Sequence, residues 1–182
     1  MKQLELLMDA TALDRALTRI SHQILEKNTD TAHLGIVGMQ TRGVYLARRI
    51  AAKINALEKT KLSTGVLDIT LYRDDYRRAL KQPKVKVTNI PFDINGVNLV
   101  LVDDVLYTGR TVRAALEALN DFGRPKTIQL AVLVDRDFRE MPIRADYVGL
   151  TVTTRKNQEV ALKVKEIDGE DSLWLMEIEK GD

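Results

Sequence analysis

The sequence predicts an α/β domain in which helices flank a central, mainly parallel sheet and a small β subdomain, the hood, lies towards the C-terminus. Short aliphatic runs alternate with segments of helical periodicity along most of the chain. Two of the runs, 97–105 and 127–135, are too continuously apolar for half-exposed strands and are typical of buried parallel strands. After residue 145, apolar and polar residues alternate, as in half-exposed antiparallel strands.

The first predicted element is a helix at about residues 10–27. Asp9 or Thr11 is placed to cap its N-terminus. Its apolar residues recur at helical spacing and predict one buried face; they are Leu13, Ala16, Leu17, Ile20 and Ile24.

The remaining elements complete a single domain spanning residues 1–182, with a core at about 10–136 and the hood at about 137–182. Proline and a high density of charge make one segment a poor core element, so we expect a loop there. In order, the predicted elements are a strand at 33–39, a helix at 44–54, a strand at 65–72, the charged loop at 73–84, a strand at 97–105, a helix at 110–122, a strand at 127–135, and hood strands at 160–168 and 172–179.

Composition narrows the class of protein. The chain of 182 residues has no cysteine, which excludes disulfides and thiolate metal sites and suits a reducing cytoplasm. Neither an apolar signal sequence nor a run long enough to span a bilayer is present, so we expect a cytoplasmic protein without membrane association. A net charge of +2 permits a nucleic-acid partner but does not indicate one.

The stretch VLVDDVLYTGRT (100–111) places two acids at the end of an apolar strand. Buried there, Asp103 and Asp104 cost free energy unless they hold a metal, ribose hydroxyls or developing positive charge. The turn that follows leads into a helix N-terminus, whose unpaired amides and positive dipole end attract phosphate. The pattern favours a site for a phosphorylated ribose. Simple helix capping by the acids is the weaker alternative, because the preceding strand is so apolar.

The same stretch resembles the phosphoribosyl pyrophosphate signature of the type I phosphoribosyltransferases. The resemblance reaches from the first helix to about residue 149 and implies the fold of that family. Further stretches, in the same order, resemble the bifunctional pyrimidine operon attenuators that are also uracil phosphoribosyltransferases; these are GMQTRGVYLARRIA (38–51), LDITLYRDD (67–75), GRPKTIQLAVLVDR (123–136) and REMPIRADYVG (139–149).

The resemblance implies transfer of ribosyl 5-phosphate from phosphoribosyl pyrophosphate (PRPP) to uracil, giving UMP and pyrophosphate, with Mg²⁺ on the substrate. Asp103 and Asp104 would hold the ribose hydroxyls, directly or through Mg²⁺-bound water, and offset charge in an oxocarbenium-like transition state. Arg73, in the charged loop, would meet pyrophosphate. The other implied substrate-binding residues are Gln40, Thr41, Arg42 and Gly43 at the pyrophosphate, Val105, Leu106, Tyr107, Thr108, Gly109, Arg110 and Thr111 at the 5-phosphate, and Arg136.

A second implied activity is regulatory. With UMP or UTP bound, such proteins bind a stem-loop in pyrimidine operon leader mRNA and promote termination. The spacing of the polar residues on the first helix indicates only a solvated face. The resemblance to the family, which also includes Thr41, is what favours RNA binding by this face. A homodimer or higher homo-oligomer is the expected unit. The candidate RNA-binding residues are Thr18, Arg19, His22, Arg139 and Arg144.

The sequence departs from the family pattern at the expected base pocket and RNA surface. Asp137 and Phe138 stand where the family usually has Gly-His, and Leu150 stands where it usually has lysine. These departures leave two alternatives open. One is an RNA-binding regulator with weak or lost catalysis, and the other is a phosphoribosyltransferase for another base, such as hypoxanthine or guanine.

Overall fold

The computed structural model describes residues 1–72 and 87–178 of the chain. The predicted charged loop and Arg73 lie outside the described residues. The elements are β1 (Lys2–Met8), α1 (Ala10–Lys27), a 3₁₀ turn (Thr31–His33), β2 (Leu34–Met39), α2 (Arg42–Glu58), β3 (Ser63–Leu67), β4 (Asn98–Leu106), α3 (Arg110–Leu119), β5 (Thr127–Arg136), β6 (Tyr147–Val152), β7 (Gln158–Lys163), α4 (Lys165–Asp168) and β8 (Ser172–Glu177).

Five strands form the main sheet in the order β3-β2-β4-β5-β6, and every neighbouring pair is parallel. Helices cover both faces of this sheet, because α1 and α2 share one buried core cluster with its strands and α3 shares the other. The predicted α/β class is therefore confirmed. Since β4 is the central strand, its carboxyl end lies in the crevice where open α/β sheets bind ligands.

The hood sheet is antiparallel and has the order β1-β8-β7. Its membership differs from the prediction in two respects. The segment Tyr147–Val152 pairs with β5 in the main sheet, although it falls within the predicted hood range. Conversely, the N-terminal segment Lys2–Met8, for which no strand was predicted, supplies one of the two outer strands of the hood through its pairing with β8.

The predicted first helix forms with the predicted bounds, and the Asp9 carboxylate caps it by accepting a hydrogen bond from the Ala12 amide at 2.7 Å. Two predicted strands are shorter than expected. The strand at 65–72 ends at Leu67, because the Asp68 carboxylate accepts hydrogen bonds from the Thr70 amide and hydroxyl and closes a turn. The predicted strand at 160–168 ends at Lys163 and is followed by α4.

Helix α3 ends at Leu119, three residues before the predicted end at 122. No helix in residues 1–72 and 87–178 has the length and apolarity that crossing a bilayer requires.

Candidate active site

The acid pair lies within β4, three residues before its last residue, Leu106. Asp103 is buried, with 6 % of its surface exposed, and Asp104 is half-buried and accepts a hydrogen bond from the Val105 amide at 3.0 Å. The usual two-residue alternation of a strand changes phase here, since Val102 and Val105 pack in the same core cluster. The acids therefore occupy the one stretch of β4 where the regular pleat is interrupted.

The loop between β2 and α2 leans against this stretch. A Cβ atom at Gly43 would lie 2.5 Å from the Val102 carbonyl oxygen and 3.1 Å from the Asp103 Cα atom, so only glycine allows this approach. The Gln40 amide donates to the Leu67 carbonyl at 2.9 Å, and the peptide bond between Gln40 and Thr41 is cis. The predicted pyrophosphate loop and the acid pair are thus neighbours.

The turn after β4 forms a cradle in front of α3, and we call residues Val105–Val112 the phosphate cradle. It surrounds a cavity of about 270 Å³ that those residues line. Gly109, with φ of 88°, makes the left-handed turn into α3, and the Arg110 amide donates to the Thr108 hydroxyl at 3.3 Å. Backbone amides at the start of a helix together with small hydroxyl side chains suit a phosphate group.

A covering segment, Asp135–Ala145, lies over the cradle and lines, together with Thr151, an open cleft of about 1060 Å³. The amides of Glu140 and Met141 donate to the Thr108 carbonyl at 2.9 and 3.0 Å. The Glu140 carboxylate also forms an ion pair with Arg110. Sequence reasoning did not identify Glu140 as part of the site, because its partner is thirty residues away in the chain.

Aromatic side chains and Arg136 line the junction between the cradle and the covering segment. The Arg136 guanidinium lies 3.9 Å from the centroid of the Tyr107 ring, and its Nη2 donates to the Gln158 carbonyl at 2.8 Å. Burial lowers the pKa of Arg136, and within the described part of the chain its Nε has no hydrogen-bond partner. Phe138 packs edge-on against Tyr107, with the ring centroids 6.3 Å apart.

Asp137 and Phe138, the two predicted departures from the family pattern, contact different parts of the structure. Phe138 takes a φ of 69° and keeps 38 % of its surface exposed beside Tyr107. The Asp137 carboxylate instead accepts a hydrogen bond from the Thr154 amide at 3.2 Å. The Asp137 carboxylate is therefore hydrogen-bonded to the turn before β7, while the Phe138 ring lies at the cleft.

Arg42 begins α2, but its side chain reaches the hood. The Nε and Nη2 atoms donate to the Asp168 carboxylate at 3.0 to 3.3 Å. Seven residues further along the same helix, Arg49 is paired with both Glu166 and Asp171. We call residues Glu166–Asp171 the acidic hood turn; sequence reasoning missed it because Glu166 and Asp168 lie in a segment that was predicted to be strand.

The candidate RNA-binding residues form two groups. On α1, the Thr18 hydroxyl donates to the Asp14 carbonyl, His22 Nδ1 lies 2.8 Å from the Thr18 carbonyl, and Arg19 donates to the Gly149 carbonyl of β6. The remaining candidates belong to the covering segment.

In that second group, Arg139 pairs with Asp135 and donates to the Tyr107 carbonyl in the phosphate cradle. Arg144 is exposed. Lys27 of α1 pairs with Asp146, immediately after the covering segment, at 2.6 Å. Helix α1 and the covering segment are thus joined along the edge strand β6.

Asp103 and Asp104 are the candidate metal ligands of the site. Among the residues that the structure describes, no group of three or more histidine, cysteine or acidic side chains is arranged to hold an ion. Mg²⁺ often binds through only one or two carboxylates together with substrate phosphates. Asp103 and Asp104 fit that kind of site and not a dedicated protein cage.

Comparisons with known proteins agree with this arrangement. Residues 5–166 match the family described as phosphoribosyl transferase domain, and the chain belongs to that family. Within it, the chain is 56 % identical over 171 residues to the bifunctional protein PyrR of Clostridioides difficile, covering 94 % of this chain and 97 % of the relative. It is 57 % identical over 173 residues to the bifunctional protein PyrR of Thermus aquaticus, covering 95 % and 96 %. The predicted resemblance is confirmed.

Solved structures share the fold at lower identity. A hypoxanthine phosphoribosyltransferase of Staphylococcus aureus aligns with a TM-score of 0.70 and 18 % identity, covering 95 % of this chain and 92 % of the other. A hypoxanthine-guanine phosphoribosyltransferase of Bacillus anthracis aligns with a TM-score of 0.69 and 14 % identity, covering 96 % and 98 %. At these identities the likeness confirms the predicted fold alone.

Proposed function

We propose that the acid pair and the two loops beside it transfer ribosyl 5-phosphate from PRPP to uracil in a protein that also regulates a pyrimidine operon. The observation that carries the chemistry is the adjacency of three features: the acids of β4, the phosphate cradle that follows them, and Gly43, which brings the β2–α2 loop within contact of Asp103. The similarity to the bifunctional relatives is the basis for proposing the second activity.

Each feature has a distinct role in the reaction. Asp103 and Asp104 hold the ribose hydroxyls and offset the positive charge that builds on the sugar as the pyrophosphate leaves. The phosphate cradle binds the 5-phosphate through backbone amides and the hydroxyls of Thr108 and Thr111. The β2–α2 loop, with Arg42, binds the pyrophosphate.

Asp103 and Asp104, together with oxygens of PRPP, would hold Mg²⁺, and the ion would supply positive charge that offsets the phosphates. The assignment of Arg73 to the pyrophosphate rests only on the resemblance of the sequence to the family.

The base lies against the aromatic pair Tyr107 and Phe138 in this proposal. The engagement of Asp137 by the Thr154 amide favours retained catalysis, because it keeps that carboxylate on the turn before β7. This contact argues against the regulator with lost catalysis. The exposed Phe138 ring offers more stacking area than the family's usual histidine, which favours testing larger bases beside uracil.

The regulatory activity uses the covering segment and α1. Arg139 and Arg144 contact phosphates of a leader mRNA stem-loop, while Thr18, Arg19 and His22 extend this surface along α1. UMP or UTP is the effector. We expect a cytoplasmic homodimer or higher oligomer.

The test is one purified sample assayed in two ways. The first assay measures PRPP consumption with uracil, hypoxanthine or guanine. The second measures binding of a pyrimidine leader stem-loop with and without UMP.

Uracil-dependent turnover with UMP-enhanced RNA binding supports the proposal. RNA binding without turnover would indicate a regulator that has lost its chemistry. Turnover with a purine and without RNA binding would indicate a salvage enzyme for another base.

A further inference from the structure

The guanidinium of Arg42, a cation proposed to meet pyrophosphate, is occupied by a carboxylate of the same chain. Two of its nitrogen atoms donate to the two Asp168 oxygens, and the side chains of Arg42 and Asp168 are 35 % and 22 % exposed. A fork-shaped contact of this kind uses the geometry by which arginine binds carboxylate or phosphate. Asp168 and a phosphate group therefore compete for the edge of the guanidinium formed by Nε and Nη2.

Asp168 is held in place independently of Arg42. The Val164 amide donates to the Asp168 carboxylate at 2.8 Å, and this hydrogen bond, with a smaller contribution from Arg42, lowers the pKa of Asp168. The carboxylate is therefore ionised at neutral pH. The turn that carries it is also fastened to α2 by Arg49, which pairs with Glu166 and Asp171 at 2.6 and 2.8 Å.

The backbone of Arg42 lies beside the acid pair, because the next residue, Gly43, packs against Val102 and Asp103. The Arg42 side chain extends from this position to Asp168 in the hood.

We propose that Asp168 is an internal counter-anion that occupies Arg42 in the empty enzyme and is displaced by the diphosphate of PRPP or by free pyrophosphate. The inference rests on the proposed function, because it assigns diphosphate binding to Arg42. Asp168 is a positioning residue that sets the affinity of the site for diphosphate, and it does not contact the reacting atoms.

The test compares Asp168→Asn with Asp171→Asn. Asparagine keeps an oxygen that can accept from the Val164 amide but has no charge with which to hold Arg42. We expect the KM for PRPP and the inhibition constant of pyrophosphate to fall together by about two- to fivefold, the factor that a partly exposed ion pair contributes. Asp171→Asn alters the same turn through Arg49 and should leave both constants unchanged. Asp168→Ser provides the same comparison if the asparagine variant folds poorly.

A double-mutant cycle separates this role from a general effect on the hood. In an Arg42→Gln background, Asp168→Asn should no longer change either constant. An undiminished change in that background, or an unchanged or raised KM in the single variant, would overturn the inference.

Calorimetric titration with magnesium pyrophosphate measures the same affinity without turnover. Tighter pyrophosphate binding by Asp168→Asn supports the inference even in a sample that does not use uracil, and unaltered binding contradicts it. Failure of the proposed reaction and failure of this inference are therefore distinguishable.

Discussion

Gly43→Ala should damage catalysis more than stability. The new Cβ atom would lie 2.5 Å from the Val102 carbonyl oxygen, and an ordinary contact of 3.4 Å requires a shift of about 0.9 Å. Both atoms belong to backbone, so the β2–α2 loop must move away from the acid pair. Overpacking of this kind costs about 2 kcal/mol, which lowers Tm by about 4 to 8 °C in a domain of this size. A displacement near 1 Å in a positioned site costs about 10²-fold in rate.

Gly96→Ala is the matched control. Gly96 has a φ of 71° with open space around it, so alanine costs about 1 to 2 kcal/mol through backbone strain alone. It precedes β4, at the opposite end of that strand from the acids, roughly 20 Å away at the usual rise per residue. Thermal melting and kcat/KM for PRPP are measured on both variants. If Gly43→Ala kept wild-type turnover, or if the two variants lost activity equally, the close approach of the loop would have no role in positioning.

Three further predictions address charge. Asp104→Asn should reduce turnover by about 10²-fold while Tm and RNA binding stay unchanged, and wild-type turnover would remove that acid from the mechanism. Arg144→Gln should weaken leader RNA binding and reduce its salt dependence while sparing turnover; an equal loss of both activities would point to misfolding. Hydrogen bonding to Arg49 lowers the pKa of Glu166, so this ion pair stabilises the fold above the ordinary carboxylate pKa of about 4 and is lost as pH falls through the lowered value. Arg49→Met should therefore lower Tm at pH 7 by an amount that shrinks towards pH 3, whereas a constant difference would show that packing is what was lost.

Local periodicity explains which elements the sequence predicts well. The five apolar positions of α1 recur on one face, and all of them are buried in the structure. The runs that became β4 and β5 are apolar on both faces because helices cover the sheet on both sides. The acid pair was visible for the same reason, since two carboxylates in such a run require a partner.

Long-range pairing explains what the sequence does not show. Strand β6 lies in the range predicted as hood, yet its pairing with β5 places it at the edge of the main sheet. The ion pair between Arg42 and Asp168 joins residues 126 positions apart, and the sequence around either residue does not predict it. Glu140 reaches the phosphate cradle in the same way. Sequence reasoning thus proposes ligand-binding residues and misses the residues that pair with them or cover them.

The hood sheet carries a consequence for the order in which the chain folds. Its register pairs Lys2 with Glu177 and Leu6 with Trp174, so β1 and β8 come from opposite ends of the described chain. The ribosome delivers β1 well before β8, and contacts of such high sequence separation are slow to form. The main sheet and its helices can be assembled while β1 still lacks its partner. The acidic hood turn directly precedes β8, so we expect its contact with Arg42 to form later than the main sheet.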